Sequence, residues 1–123
     1  MNQNSSIIAQ NDNLVSRIVK LRDPFCMLRL KGCTGHTIDP AHCFGRKNMA
    51  TRWNLECVYG ACRSCHSFAD THPELKRVYF IKIMGEEKYD KMLKLSNTNA
   101  KFLPMELKCM AKILKIALNQ YAK

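Results

Sequence analysis

Two cysteine pairs, Cys26/Cys33 and Cys62/Cys65, are the tightest constraint on what this 123-residue chain can fold into. The second pair has the Cys-x-x-Cys spacing that lets two thiolates share one tetrahedral ion. The first pair is more widely spaced, with six residues between its cysteines. The middle of the chain has few long apolar runs, and a metal staple supplies what a small core lacks. The expected ligands of a structural zinc are therefore Cys26, Cys33, Cys62 and Cys65.

Two other uses of the thiols compete with zinc. Disulfides need an oxidising compartment, and the polar start Met1-Asn2-Gln3-Asn4-Ser5-Ser6 has no basic region followed by an apolar stretch. No apolar segment approaches the roughly 18–20 residues that span a bilayer. The chain thus reads as cytoplasmic, without a membrane partner. A Cys62–Cys65 redox couple is the other use, although such pairs normally follow a βαβ strand and none is expected here. Cys43, Cys57 and Cys109 fit small buried hydrophobes better than ligands.

Twenty basic residues against ten acidic ones give a net charge of +10, and the pI is near 9.5. That balance favours a polyanionic partner, with DNA the foremost candidate. Arg46, Lys47 and Arg52 are the expected phosphate contacts, against the plainer reading of a solvated basic loop. No base-reading motif is present, and the oligomeric state stays open, a homodimer included.

The pattern predicts a small α+β domain in three pieces: a flexible N-terminus over 1–12, a zinc-stapled core over 13–72 and a C-terminal helical extension over 73–123. A short helix is expected over Leu14–Leu21, ending before Pro24. Thr37–Asp39 and His42–Phe44 read as two short strands of a hairpin-like unit. A helix over Ser64–Asp70 starts beside the thiolates, where the dipole favours their charged form. Pro73 opens a helix running to Met84 and capped by Gly85, and another covers Glu86–Leu95. Pro104 opens the last helix, with Lys108, Lys112, Lys115 and Asn119 in one stripe. Its other side carries Leu107, Met110, Ile113, Leu114, Ala117, Leu118 and Tyr121.

His42 and His66 carry the candidate chemistry. A neutral imidazole can take a proton from water near pH 7. Phosphodiester hydrolysis also wants a Lewis acid, supplied by Mg²⁺ or a similar divalent ion on oxygen and imidazole ligands such as Asp39 and His66. His36 and His72 lack such neighbours and are expected to face solvent.

The run Asp39-Pro40-Ala41-His42-Cys43-Phe44-Gly45-Arg46-Lys47-Asn48-Met49-Ala50-Thr51-Arg52-Trp53-Asn54, followed by Cys62-x-x-Cys65-His66, resembles the HNH endonucleases of the ββα-metal type. With Leu21-Arg22-Asp23 and Ile83 to Tyr89 as flanks, it is similar in particular to phage Rap/NinG-type recombination endonucleases. The resemblance spans roughly residues 14 to 121. It implies a ββα-metal core between terminal helices and a phage-encoded enzyme that hydrolyses DNA, including branched or recombination DNA. It makes His42 the general base and His66 a ligand of the catalytic ion, with Asp39 as the nearest carboxylate for a second ligand. The family's middle asparagine stands five residues before Cys-x-x-Cys, where this chain has Cys57, so Asn54 is taken as its substitute. Trp53 is expected to pack beneath the active-site loop. A second class of reading is a zinc-containing DNA-binding protein descended from such a nuclease, its catalysis weakened by the loss of that asparagine.

Overall fold

The computed structural model describes residues 3–30 and 32–123. Among the described residues six helices and one two-stranded antiparallel sheet make a small α+β fold. In chain order these are α1 (Gln3–Arg22), β1 (Asp39–His42), α2 (Met49–Arg52), β2 (Val58–Ala61), α3 (Arg63–Thr71), α4 (Pro73–Met84), α5 (Glu86–Ser96) and α6 (Pro104–Ala122). Among the described residues no helix is long and apolar enough to cross a membrane.

The N-terminus departs most from expectation. Residues 3–12, expected to be flexible, are the first turns of a 20-residue helix, while residues 1 and 2 lie outside the described set. The apolar seam of α1 runs Ile7, Ile8, Leu14, Val15, Ile18 and Val19, with the polar Asn11 in its middle. Asn11 is wholly buried, and its Nδ2 donates to the Leu107 carbonyl of α6 at 3.2 Å. One polar residue thus interrupts the helical pattern in the sequence and tertiary packing overrides it. The pair also joins the chain ends: α1 and α6 share one core with Trp53 and Val58. Residues 73–123 therefore include half of a core whose other half is α1.

The expected hairpin of Thr37–Asp39 with His42–Phe44 does not form. Residues 39–42 are one extended strand paired with β2, in the register Asp39↔Ala61, Pro40↔Gly60, Ala41↔Tyr59 and His42↔Val58. A tight hairpin turn needs a residue at positive φ. In this stretch that residue is Gly45 (φ 80°), beyond the strand, where its N–H closes a turn onto the His42 carbonyl.

Strand β2 is buried along its whole length because it is covered on both faces. Val58 points into the α1/α6 core, and Tyr59 into a second core with Cys26, Leu28, Leu30, Cys65 and Phe80. Alternation along a strand is what lets one segment serve two cores. The first cysteine loop adds to the sheet through Met27 N–H to the Gly60 carbonyl (2.8 Å). Arg22 braces this region, pairing with Asp23 (2.7 Å) and donating to the Leu55 and Val58 carbonyls at 2.7 and 2.5 Å.

Candidate metal centre and adjoining cleft

The four cysteines predicted as ligands come together. Their sulfurs all lie within 4.8 Å of one another, Cys33 and Cys62 at 3.9 Å. Zinc–sulfur bonds of about 2.3 Å place tetrahedral ligand sulfurs about 3.8 Å apart, so the cluster is sized for one such ion. Local backbone builds it. Cys62 is the N-cap of α3, its sulfur accepting from Cys65 N–H at 3.4 Å. Gly35 N–H points at Cys33 (3.3 Å) and Leu30 N–H at Cys65 (3.4 Å). N–H donors aimed at sulfur stabilise thiolate, the form that binds metal.

The acidities follow from this wiring. Burial opposes ionisation of Cys62, but the donors from Cys65 and Thr34 outweigh it and bring the thiol down to about 6. Burial and the neighbouring sulfurs push Cys65 up, and burial leads the upward shift of Cys33. One cluster cannot hold several thiolates without a cation to neutralise them, and a divalent metal does that. The remaining three cysteines stand apart from the cluster. Burial raises Cys43 to about 12 and Cys57 to about 11, while Cys109 is exposed on α6.

Next to the cluster a cleft of about 1050 Å³ opens between α1, the β1–α2 loop, α3 and α4. Asp39, His42 and His66 all line it, as do Arg46 and Lys47. His66 Nδ1 lies 3.2 Å from Asp39 Oδ2, and its Nε2 lies 3.3 Å from Asp70 Oδ2. If Nε2–H is given to Asp70, Nδ1 turns a lone pair toward Asp39. A cation between them satisfies that arrangement, and oxygen and imidazole at this separation suit octahedral bonds of about 2.1 Å. A carboxylate behind the far nitrogen is how metal-binding imidazoles are usually oriented. Asp70 is in turn paired with Lys76 of α4 (3.1 Å), which also lines the cleft.

His42 ends β1, and its ring hydrogen-bonds the Arg52 backbone. Burial first, then the positive charge of Arg46, depresses its pKa from 6.5 to about 4, with Asp12 opposing. The imidazole is therefore neutral at pH 7.

Two predicted site residues take other roles. Asn54 does not line the cleft. Its Oδ1 accepts from Glu56 N–H (2.9 Å) and its amide faces Met92 of α5 (3.7 Å), because it caps the turn entering β2. Arg52 is also withdrawn from a phosphate-binding role: its Nε and Nη2 grip Asp12 of α1 at 2.9 and 2.6 Å. Arg46 pairs with the same carboxylate but keeps an exposed side chain, and Lys47 is unpaired by any carboxylate among the described residues.

Four residues absent from the sequence-level site matter here. Asp12 takes Arg46, Arg52 and the Trp53 indole N–H (2.9 Å) together, and these donors outweigh burial to hold it below the usual carboxylate range. Asn48 donates to the Phe44 carbonyl, tying down the loop that follows His42. Asp70 and Lys76 complete the wall behind His66. Asp70 was legible four residues after His66 on one helix face; Asp12 was hidden in the segment expected to be flexible. Trp53 sits under the loop, buried against Phe102. His36 and His72 are exposed. Comparisons with family models, curated proteins and solved structures return no match to the chain.

Proposed function

We propose that the protein is a metal-dependent endonuclease of the HNH type that hydrolyses DNA phosphodiester bonds, with a structural zinc on Cys26, Cys33, Cys62 and Cys65. The observation that carries this reading is the convergence of Asp39, His42 and His66 on one cleft beside the four-thiol cluster. Strand β1 supplies Asp39 and His42, and helix α3 supplies His66 and Cys65, with Cys62 at its N-cap. The resemblance in sequence and a net charge of +10 point the same way, and branched or recombination DNA is the substrate class it implies.

Asp39 and His66 would hold a Mg²⁺ or similar ion. When bound, such an ion supplies a Lewis acid to the phosphate and the departing 3′ oxygen. The chain's own work is separable from it. His42, neutral at pH 7, takes the proton from the attacking water while the Arg52 backbone fixes its ring. Asp70 orients His66, and Asn48 holds the loop after His42. Lys47, which lines the cleft and pairs with no carboxylate among the described residues, provides positive charge for the phosphates.

A second reading is favoured by one observation. Asn54 lies outside the cleft and Cys57 is buried, so neither does the family asparagine's work and the protein binds DNA without cutting it. Cleavage of supercoiled, linear and branched DNA with Mg²⁺ or Mn²⁺ separates the two. Nicking lost by roughly a hundredfold or more in His42→Ala is the expected result. Tight binding with no cleavage of any substrate, by protein whose zinc is intact, leaves the second reading standing.

A further inference from the structure

The cleft has a wall that the proposed chemistry does not use. Strand β1 is paired on one edge only among the described residues. Helix α1 packs on the face of the sheet to which Val58 points, and α3 packs with Tyr59 on the other. The cleft along β1 therefore runs between two unlike walls. His66 and Asp70 stand on the α3 side, while α1 contributes Ala9, Asp12, Asn13 and Ser16. Ala9, Asn13 and Ser16 recur at spacings of four and three, so they share one stripe of the helix. That stripe is small and uncharged. The one charge beside it, Asp12, is taken up by Arg46, Arg52 and the Trp53 indole. Asn13 is exposed, and neither its amide nor the Ser16 hydroxyl hydrogen-bonds a side chain among the described residues.

We infer that this wall reads DNA sequence, the Asn13 amide recognising an adenine beside the phosphate held over Asp39 and His66. A nucleotide carries its phosphate and its base at opposite ends. With the phosphate toward Asp39 and His66, sugar and base turn toward α1, where no free cation competes to draw a second phosphate. A carboxamide offers a donor and an acceptor side by side, the complement of adenine N6–H and N7. Guanine shows two acceptors on that edge, and cytosine and thymine one hydrogen-bonding group each, so only adenine takes both bonds. The Ser16 hydroxyl, one turn on, either donates or accepts and adds contact without choice. The inference rests on DNA entering this cleft, which the nuclease reading and the binding-only reading share.

The test selects bound DNA from a duplex library randomised through its centre, using the intact protein without added Mg²⁺. Adenine is expected to be enriched at one position by at least about fivefold. Asn13→Ala removes that enrichment, and Asn13→Asp turns it to cytosine, whose N4 amino group a carboxylate accepts. Asn13 is exposed on its helix, so both variants fold. Exchanging the preferred adenine for 7-deazaadenine, which lacks the N7 acceptor, also removes the preference. With Mg²⁺ present, the cut falls beside that adenine. Enrichment of no base, an adenine preference that Asn13→Ala leaves intact, or a cut remote from the adenine overturns the inference. Adenine enrichment that depends on Asn13, with no cutting in Mg²⁺, supports it and sinks the nuclease reading alone. A protein that binds no DNA overturns the inference together with both readings.

Discussion

The two cores on either side of β2 are built on different physics. The α1/α6 core is hydrocarbon: Leu14, Val15, Ile18, Val19, Leu107, Leu114 and Leu118 interlock along two long helices. The cysteine core has Leu28, Leu30, Tyr59, Phe80 and Tyr89, but at its centre are thiols from one loop and the start of α3. The first closes by burial alone. The second holds sulfurs against one another, with N–H donors turned toward them, in an arrangement that a cation completes. The proposed site adjoins the second, where the chain segments that meet are short and must be fixed at their ends.

The largest expected effect tests that asymmetry. If the four thiols hold zinc as proposed, chelation, or Cys62→Ser with Cys65→Ser, removes an interaction on the order of 10 kcal/mol. Near-ultraviolet signals of Tyr59 and Tyr89 should collapse while the far-ultraviolet helix signal of α1 and α6 largely persists. If all helicity vanishes at the same chelator concentration, the two cores are one cooperative unit joined through β2 and the contrast fails.

The converse experiment works on the hydrocarbon side. Leu114→Ala opens a cavity where the residue is 98% removed from solvent by α1, at a cost of about 2–5 kcal/mol. The unfolding free energy from denaturant titration should fall by that amount, with metal stoichiometry unchanged. A variant that also loses its metal would show that the cysteine loops depend on the helix pair for their geometry.

Between the cores, His42 gives a pH signature. Its folded pKa lies near 4 against an ordinary 6.5, with burial the main cause. Above pH 6.5 both folded and unfolded chains hold it neutral, so it contributes no pH dependence there. As pH falls from 6.5 toward 4 the unfolded chain takes up a proton that the folded chain refuses, and stability drops by up to about 3 kcal/mol. His42→Gln should flatten that limb in denaturation curves measured with metal held constant. An unchanged limb would assign the acid sensitivity to other groups.

What could be read from the sequence divides along the same line. Helices α3 to α6 follow from Pro73, Gly85, Pro104 and regular apolar spacing, and their observed ends fall within one residue of the expected ones. The thiol cluster followed from spacing, and Asp39, His42 and His66 line one cleft. The failures are long-range. Nothing local pairs residues 39–42 with 58–61, since the strand partner lies across the whole β1–α2 loop. Asn11 breaks the pattern of α1 because its hydrogen bond partner is 96 residues away. Arg52 looked free because its carboxylate partner, Asp12, lies 40 residues upstream.

Asp12 is the joint between the two regions and the place for the subtlest test. It stands on the hydrocarbon helix yet grips Arg46, Arg52 and Trp53, which frame the short helix whose last carbonyl region meets His42. In Asp12→Ala the Trp53 indole and two guanidinium groups lose their common acceptor, a loss of about 1–3 kcal/mol for partly buried groups. Two consequences have opposite sign under the nuclease reading. Freed Arg46 and Arg52 add positive charge to the cleft, so DNA binding tightens and its salt dependence steepens. The base, no longer framed by a fixed α2, turns over more slowly. Lower kcat together with lower Kd for DNA is the expected outcome of titration and single-turnover assays on the same preparation. If both change in proportion to the stability loss alone, Asp12 is a structural link and does not position the cleft.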